Sequence, residues 1–232
     1  MRSPIDTTLL GSEHLKGNAM CSVYYANMTA EKLQRELPFE ILEGYTPRLD
    51  RGIIRPTDWV DAICQQHVLQ PMRWGFSPSW SQEDWKAKLI NIRAETAAEK
   101  PMFKAAFRGR RAVLPVSGYF EWTEELVEVP SEQGTLFDSG RPTKVQPKKH
   151  VLVLRGHDPF FFPALFEDYL DPNGSEIRTV GLLTCEPNGF TRKFHTRMPV
   201  VLNGLQALDW LSSGHPQLLS PPPFAAMDAF RA

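Results

Sequence analysis

Three short apolar runs, rich in β-branched residues, constrain the fold of this chain more than any other feature. They occupy residues 112–116, 151–155 and 179–185. Each has the length and composition of a buried strand, bounded by turn-forming or polar residues. We therefore expect a β-sheet to supply a large part of the core.

Two other segments carry helical signals. Residues 29–37 predict a helix that Thr29 caps. A second helix is predicted after Asn203, which forms a capping-box pattern with Gln206, and Gly214 provides its stop. One face of this second helix carries Leu205, Leu208 and Leu211.

Together these elements predict a single α+β domain, with a mixed, curved, barrel-like β-sheet flanked by helices. We expect the domain over residues 20–214, after an extension of residues 1–19. Residues 123–147 are polar, acidic at their start and rich in turn residues, which predicts an inserted exposed loop. Residues 215–232 are expected to form an irregular, proline-rich tail.

Composition excludes several classes of protein. Of the 232 residues, 42% are hydrophobic and 23% are charged, so the chain is not collagen-like, a coiled coil or wholly disordered. No apolar run approaches the ~20 residues of a membrane-spanning helix, so we expect no membrane association. The three cysteines, Cys21, Cys64 and Cys185, are too scattered for a disulfide framework, which indicates the reducing cytoplasm.

Positive charge is concentrated in one window. Residues 86–111 carry eight basic and two acidic side chains, a net +6 in a chain of net charge −1. Such a window could present a basic face to a phosphate backbone. It could also be an ordinary solvated surface, which is the commoner origin of a charge run.

Metal and cofactor signatures are weak. Cys64 and His67 form a two-ligand half-site, but no second pair follows at a zinc-site spacing. The glycine-rich patterns that cradle phosphates or dinucleotides do not occur in the sequence. We therefore expect neither a metal nor a cofactor.

Five short segments give the clearest functional signal because they occur in a fixed order. They are Met20 with Cys21, then residues 73–76 (RWGF), 91–96 (NIRAET), 118–122 (GYFEW) and 194–199 (FHTRMP). Their order and spacing resemble the SOS response-associated peptidase (SRAP) family over roughly residues 20–210. Members of that family crosslink themselves to abasic sites in single-stranded DNA.

The resemblance implies that Cys21 is the nucleophile. In the family the preceding Met is removed, so Cys21 would present an α-amine and a thiol on adjacent carbons. With the aldehyde of an abasic site these two groups would close a five-membered thiazolidine ring. An α-amine suits the reaction, because its pKa of about 7.7–8.0 lies well below the ~10.4 of a lysine.

The resemblance also assigns roles to other motif residues, each of which, taken singly, is more often structural. Glu121 would act as a general acid–base, and His195 would protonate the sugar ring oxygen. Asn91 would orient Cys21. Contacts with DNA would come from Arg93, Arg197, Trp122 and Trp74.

The expected function is covalent shielding of abasic sites in single-stranded DNA during the SOS response to DNA damage. The protein would act as a bacterial, nucleoid-associated monomer, and the same site could support lyase and auto-peptidase (hydrolase) activity. Two alternatives stay open. One is a cysteine-type, self-processing peptidase that uses Cys21 with His195 and either Glu121 or Asn91. The other is a non-catalytic DNA- or clamp-binding module.

The start of the chain departs from the family pattern. Nineteen residues precede Met20, and a blocked amine cannot form a thiazolidine. Residues 1–20 must therefore be cut off or never made. We expect translation to begin at Met20, since Lys16 and Gly17 can be encoded by a purine run placed like a bacterial ribosome-binding sequence.

Two positions near the site also depart from the pattern. Val23 stands where the family usually has an arginine, and Ile53 where it has an asparagine. Arg55 is a candidate to compensate. The valine- and asparagine-rich stretch that usually ends the family is replaced here by the proline-rich tail.

The inserted loop carries a separate motif. Its residues Gln133, Leu136 and Phe137 resemble the Q-x-x-L-F peptide that docks bacterial repair proteins on the replication sliding clamp. An exposed flexible segment of this kind can bury two adjacent apolar side chains in a preformed groove. The sliding clamp is therefore an expected partner.

Overall fold

A computed structural model describes residues 22–81, 89–128 and 143–231, and for residues 124–128 and 143–147 it describes the backbone alone. In chain order the strands are β1 (Tyr24–Ala26), β2 (Glu40–Ile41), β3 (Gly52–Ile54), β4 (Trp59–Cys64), β5 (Val68–Trp74), β6 (Asn91–Arg93), β7 (Arg111–Val116), β8 (Gly118–Glu128), β9 (Thr143–Leu154), β10 (Phe160–Leu170), β11 (Glu176–Cys185), β12 (Met198–Pro199) and β13 (Met227–Arg231). The α-helices are α1 (Ala30–Glu36), α2 (Ala94–Ala97), α3 (Pro101–Gly109) and α4 (Gly204–Ser213). The predicted strands 112–116 and 179–185 fall within β7 and β11, and the predicted strand 151–155 extends one residue beyond the end of β9.

Five strands close into a barrel. β5 pairs with β4, β4 with β7, β7 with β10 and β10 with β11, all antiparallel. β11 then runs parallel to β5, with Thr179 opposite Arg73, and this pairing closes the ring. Every residue of β7 and the first eight of β10 are buried, as expected for strands covered on both faces. The predicted α+β domain with a curved, barrel-like sheet is confirmed.

A second sheet packs against the barrel and brings the start of the chain beside β8. Its strand order is β13-β9-β8-β1-β3. The Tyr24 ring lies 5.3 Å from that of Trp74 and 5.9 Å from that of Phe162, both in barrel strands. Tyr119 of β8 lies 5.7 Å from Phe162. These buried aromatic contacts hold the two sheets together and fix β1 next to β8.

Both predicted helices are confirmed, together with their caps. At α1, the Lys32 N–H donates to Thr29 Oγ1 at 3.2 Å. At α4, the Gln206 N–H donates to Asn203 Oδ1 at 2.9 Å, and Gln206 Oε1 accepts from the Asn203 N–H at 3.0 Å. The helix ends at Gly214, whose φ of 64° is left-handed, as glycine permits. None of the helices in the described ranges has the length and hydropathy to cross a membrane.

The buried face of α4 is not the face that carries all three leucines. Leu205 is 80% exposed and Leu208 is 37% exposed. The buried residues are instead Gly204, Ala207, Trp210 and Leu211. Trp210 sets this rotation, because its fully buried indole donates to the Ala112 carbonyl oxygen at 3.1 Å.

Strands occur in both regions that were expected to be irregular. β8 and β9 stay paired as far as Glu128 opposite Thr143, within the expected loop. β13 lies in the expected tail and pairs with β9, and its Met227 is 1% exposed. Sheet pairing satisfies these backbones through partners distant in sequence, which local composition does not reveal. The predicted clamp-binding residues Gln133, Leu136 and Phe137 lie outside the described residues.

The basic run does not form one face. Arg111 is 7% exposed, and its guanidinium donates to five carbonyl oxygens at the ends of α3 and α4. Arg110 pairs with Glu167 at 2.7 Å. At least these two cations serve the fold, so the window as a whole does not present one basic face.

Candidate active site

Glu121 occupies β8 and is only 4% exposed. Its direct neighbour across the strand pair is His150 of β9, so the two side chains share one face of the sheet, with Cβ atoms about 4.5–5.5 Å apart. Thr123 lies on the same face, and its Oγ1 is 2.8 Å from His150 Nε2. A buried carboxylate beside an imidazole is a setting suited to proton transfer.

The chain enters this region next to Glu121. β1 and β8 are paired with Tyr24 opposite Tyr119, and the Phe120 N–H donates to the Val23 carbonyl oxygen at 3.0 Å. Continued by two residues, the same register brings Ser22 opposite Glu121. Cys21 lies outside the described residues, but it is bonded to Ser22.

A short turn brings the segment that carries His195 close to His150 and Glu121. At the start of the 3₁₀ turn Thr191–Lys193, the N–H groups of Phe190 and Thr191 donate to Asn188 Oδ1 at 3.0 and 2.8 Å. The chain then presents Phe194, whose ring lies 5.0 Å from the His150 ring. Since His150 is the cross-strand neighbour of Glu121, the segment that carries His195 packs against the face of Glu121.

His195 has a defined tautomer. Its Nδ1 accepts a hydrogen bond from the Arg197 backbone N–H at 3.1 Å, so the neutral ring carries its proton on Nε2. Partial burial lowers the pKa of His195 from its ordinary value of 6.5. At neutral pH the imidazole is therefore uncharged, with an Nε2–H that can donate to a substrate oxygen.

Arg197 ties the His195 segment to the barrel. Its guanidinium forms a bidentate pair with Glu95 at 2.6 and 2.8 Å, and it donates to the Thr184 carbonyl oxygen at 2.7 Å. The hydrogen bond from Arg197 lowers the pKa of Glu95. The Arg197 side chain is 16% exposed, and it rigidifies the backbone whose N–H fixes the His195 ring. A contact between Arg197 and phosphate stays a prediction.

Asn91 and Arg93 lie on β6, beside the carboxyl end of β11. β6 runs parallel to β11 and places Asn91 opposite Leu182 and Arg93 opposite Thr184. Arg93 is exposed and, within the described ranges, makes no ion pair. Because Arg197 is held by its ion pair with Glu95, Arg93 is the freer cation of the two.

Trp74 has a structural position. It is 0% exposed, and its Nε1–H donates at 3.2 Å to the carbonyl oxygen of Ile90, the residue before Asn91. The expectation that Trp74 touches DNA is therefore corrected: Trp74 instead positions the start of β6. Trp122, by contrast, is half-buried at the edge of the core and opposite Lys149.

Sequence reasoning missed His150, Phe194 and Thr123. Phe194 stood inside a recognised motif, but nothing marked it as the contact that joins two distant segments. His150 became visible only through the β8–β9 register, because no local pattern pairs it with Glu121. Among the described residues, no three His, Cys, Asp or Glu side chains gather as a metal site requires.

Comparison with known protein families identifies the family of this chain. The model of the family described as SOS response associated peptidase (SRAP) matches residues 20–229. This chain belongs to the SRAP family. The resemblance predicted from five motifs is confirmed, and the match begins at Met20 and includes most of β13.

Several curated relatives of this SRAP chain carry functional names. The abasic site processing protein YoqW of Bacillus subtilis is 28% identical over 62% of this chain and 57% of its own length. The abasic site processing protein HMCES of Xenopus tropicalis is 30% identical over 66% of this chain and 48% of its own. HMCES of Gallus gallus is 25% identical over 77% of this chain and 58% of its own. The chain spans about half the length of the curated relatives it matches.

Solved structures share the SRAP fold described here. A protein from Bacteroides thetaiotaomicron superposes with a TM-score of 0.71 at 22% identity, covering 90% of this chain and 91% of that one. A protein from Bordetella bronchiseptica gives 0.71 at 18% identity, covering 91% and 99%. At these identities the likeness supports the fold alone.

Proposed function

We propose that this chain binds single-stranded DNA and traps abasic sites as a covalent thiazolidine between Cys21 and the sugar aldehyde. The observation that carries the proposal is the convergence on Glu121. The strand that follows Cys21 enters beside this buried carboxylate, and the His195 segment packs on its cross-strand neighbour. The names of the curated relatives support abasic sites as the substrate.

The chemistry needs two nucleophiles and a proton carrier. The Cys21 amine attacks the C1′ aldehyde to give a carbinolamine, and loss of water gives an imine. The thiol then adds to the imine carbon, and its proton passes to the nitrogen as the ring closes. Glu121, held between a predicted position for Cys21 and His150, would deliver a proton to the departing hydroxyl and recover one from the thiol.

His195 would act before these steps. An abasic sugar is mostly a closed hemiacetal, which exposes no aldehyde. The Nε2–H of neutral His195 would donate to the ring oxygen and favour opening of the ring. Asn91 would hold the Cys21 amine, while Arg93, Arg197 and Trp122 would hold the flanking strand.

The proposal requires a free amine on Cys21, so the active form would lack residues 1–20. The family match, which begins at Met20, supports this boundary. The lyase and peptidase activities would be secondary uses of the same site. An imine at C1′ also permits β-elimination, which cuts the strand.

A denaturing gel tests the proposal. Protein begun at Met20 is incubated with single-stranded DNA that carries one abasic site, beside Cys21→Ala and Glu121→Gln variants. We expect a slow covalent band that Cys21→Ala abolishes and that Glu121→Gln forms about 10²–10⁴-fold more slowly.

A protein that retains residues 1–20 through an uncleavable junction is the matched control, because it keeps the Cys21 thiol but blocks its amine. It should give no band. Equal crosslinking by this control would show that the amine takes no part, and would favour a cysteine-peptidase site instead.

A further inference from the structure

The C-terminal segment carries an aromatic side chain that the fold does not bury. Phe224, in the 3₁₀ turn Phe224–Ala226, is 61% exposed. A single exposed apolar side chain is common on protein surfaces and by itself indicates no function. Phe224 differs because its surroundings hold it in a defined place, beside the segment that carries His195.

The backbone is anchored on both sides of Phe224. Before it, the Pro222 carbonyl oxygen accepts a hydrogen bond at 2.9 Å from Nδ2 of Asn188, the residue whose Oδ1 caps the turn that leads to the candidate site. After it, the Arg155 N–H donates to the Ala226 carbonyl oxygen at 2.8 Å. The exposed ring of Phe224 is therefore pre-organised, which lowers the entropy cost of binding a partner.

The Phe224 ring is the outer member of a row of three aromatic rings. Its centre lies 5.6 Å from that of Phe190 in an edge-on contact, and the centre of Phe190 lies 6.0 Å from that of Phe194. Phe194 precedes His195 in the chain and packs on the His150 ring. The aromatic row thus runs from the candidate active site to the surface.

A lysine lies over the same row. The Nζ of Lys193 is 4.4 Å from the centre of the Phe190 ring and 5.0 Å from that of Phe194, both cation–π distances. Lys193 and the preceding Arg192 are exposed. Among the residues that the structure describes, no acid forms an ion pair with either cation. Their charges are therefore available to an anion.

An exposed aromatic ring beside unpaired cations fits single-stranded nucleic acid. Surfaces that bind such strands combine aromatic side chains, on which bases stack, with positive charge that follows the phosphates. An apolar protein partner would remove water from Lys193 and Arg192 without pairing their charges, whereas a phosphate would pair with them. The position of the row, next to His195, favours the same strand that carries the abasic site.

We propose that Phe224 stacks on a base next to the abasic nucleotide in single-stranded DNA, while Lys193 contacts the adjoining phosphate. This inference rests on the proposed function for the identity of the strand. It makes the C-terminal segment part of the DNA-binding surface, on the side of the site formed by the His195 turn.

Binding without a covalent step tests the inference. The probe is single-stranded DNA with a tetrahydrofuran abasic analogue, which has no aldehyde, and fluorescence anisotropy reports its affinity. We expect Phe224→Ala to bind about fivefold to a hundredfold more weakly, with an unchanged slope of log affinity against log salt, and Phe224→Trp to retain the affinity. Lys193→Gln should instead make that slope less steep by about 0.7.

A change in the DNA tests whether the contact is with a base. The base on one side of the analogue, and then the base on the other side, is removed by a second tetrahydrofuran unit. For the base that stacks on Phe224, removal should weaken binding by the unaltered protein but should not weaken Phe224→Ala further. Independent, additive losses on both sides would overturn the stacking contact.

Phe230→Ala is the matched control, because it makes the same change at another exposed phenylalanine of the C-terminal segment, which is 38% exposed. Arg231 is opposite His150 in the β13–β9 pair, so the adjacent Phe230 points to the other face of the sheet. Its affinity should equal that of the unaltered protein. An unchanged affinity in Phe224→Ala, or an equal loss in both variants, would overturn the inference, and thermal melts confirm that each variant is folded.

The two proposals fail in distinguishable ways. If the unaltered protein forms no crosslink to aldehyde DNA but Phe224→Ala still weakens binding of the analogue, the proposed reaction fails and the stacking contact stands. If crosslinking occurs and affinity for the analogue does not respond to Phe224, only the stacking contact fails.

Discussion

Arg111 offers a quantitative test of how the structure is held together. Each of the five N–H groups of its guanidinium has its own carbonyl acceptor, at 2.8–3.1 Å, and the side chain joins the ends of α3 and α4. The charge is balanced by the carbonyl dipoles of two helix ends. In Arg111→Lys a single ammonium with three donors cannot span both ends, so at least two carbonyls lose a charged donor.

The magnitude follows from those two bonds. At about 1.5–3 kcal/mol for each of the two lost hydrogen bonds to a charged group, Arg111→Lys should lower the free energy of unfolding by about 3–6 kcal/mol. For a chain of this size that corresponds to a fall in Tm of roughly 10 °C. Calorimetry or circular dichroism melts measure it directly.

Arg110→Lys is the matched control, because it makes the same change one residue away. Arg110 pairs with Glu167 in a bridge whose arginine side chain is 31% exposed, so its loss should cost less than about 1 kcal/mol. If the two variants melt within about 2 °C of each other, the bonds of Arg111 do not stabilise the fold as described.

Three further predictions concern a cap, a tether and a titration. Asn203→Ala removes the hydrogen bond that the Gln206 N–H donates to the Asn203 side chain, and should lower the unfolding free energy in urea by about 1 kcal/mol, whereas Asn203→Asp should keep most of that energy. Glu95→Gln weakens the bidentate ion pair with Arg197, which positions the backbone that orients His195. Single-turnover crosslinking should therefore slow by roughly tenfold to a hundredfold. An unchanged rate would contradict that positioning role. Burial lowers the pKa of His195, so below about pH 6.5 the folded state binds fewer protons than the unfolded state. The free energy of unfolding should therefore fall as the pH drops through that value. His195→Gln should make this fall smaller, as measured by urea midpoints.

Local signals in the sequence were enough to predict several elements. The cap at Thr29, the capping box at Asn203 and the stop at Gly214 depend on side chains within a few residues, and all three are confirmed. The apolar runs of β7 and β11 were predicted because strands buried on both faces need no alternation.

Elements that depend on distant partners were not predictable. β13 forms only because β9 offers an open edge, and the barrel closes only because β11 returns to β5. The exposed face of α4 shows the same limit. Leucine spacing favoured one rotation, but burial of Trp210 selected another.

In the candidate site, too, some features were predictable from local motifs and others were not. Motif order identified Glu121 and His195 and led to the family, but the contact between them through His150 and Phe194 required the three-dimensional register. Trp74 shared a motif with functional residues and proved to be a fully buried core side chain. A motif therefore located the site, whereas burial decided the role of each residue in it.

Mass spectrometry of the crosslinked product shows which residue and which bond join the protein to the DNA. Protein begun at Met20 is incubated with abasic single-stranded DNA, digested, and mapped, with and without borohydride. We expect an adduct on Cys21 whose mass is that of protein plus DNA less one water. Borohydride should not alter it, because a thiazolidine has no imine to reduce. An adduct on a lysine, or one on Cys21 that borohydride is needed to trap, would contradict it.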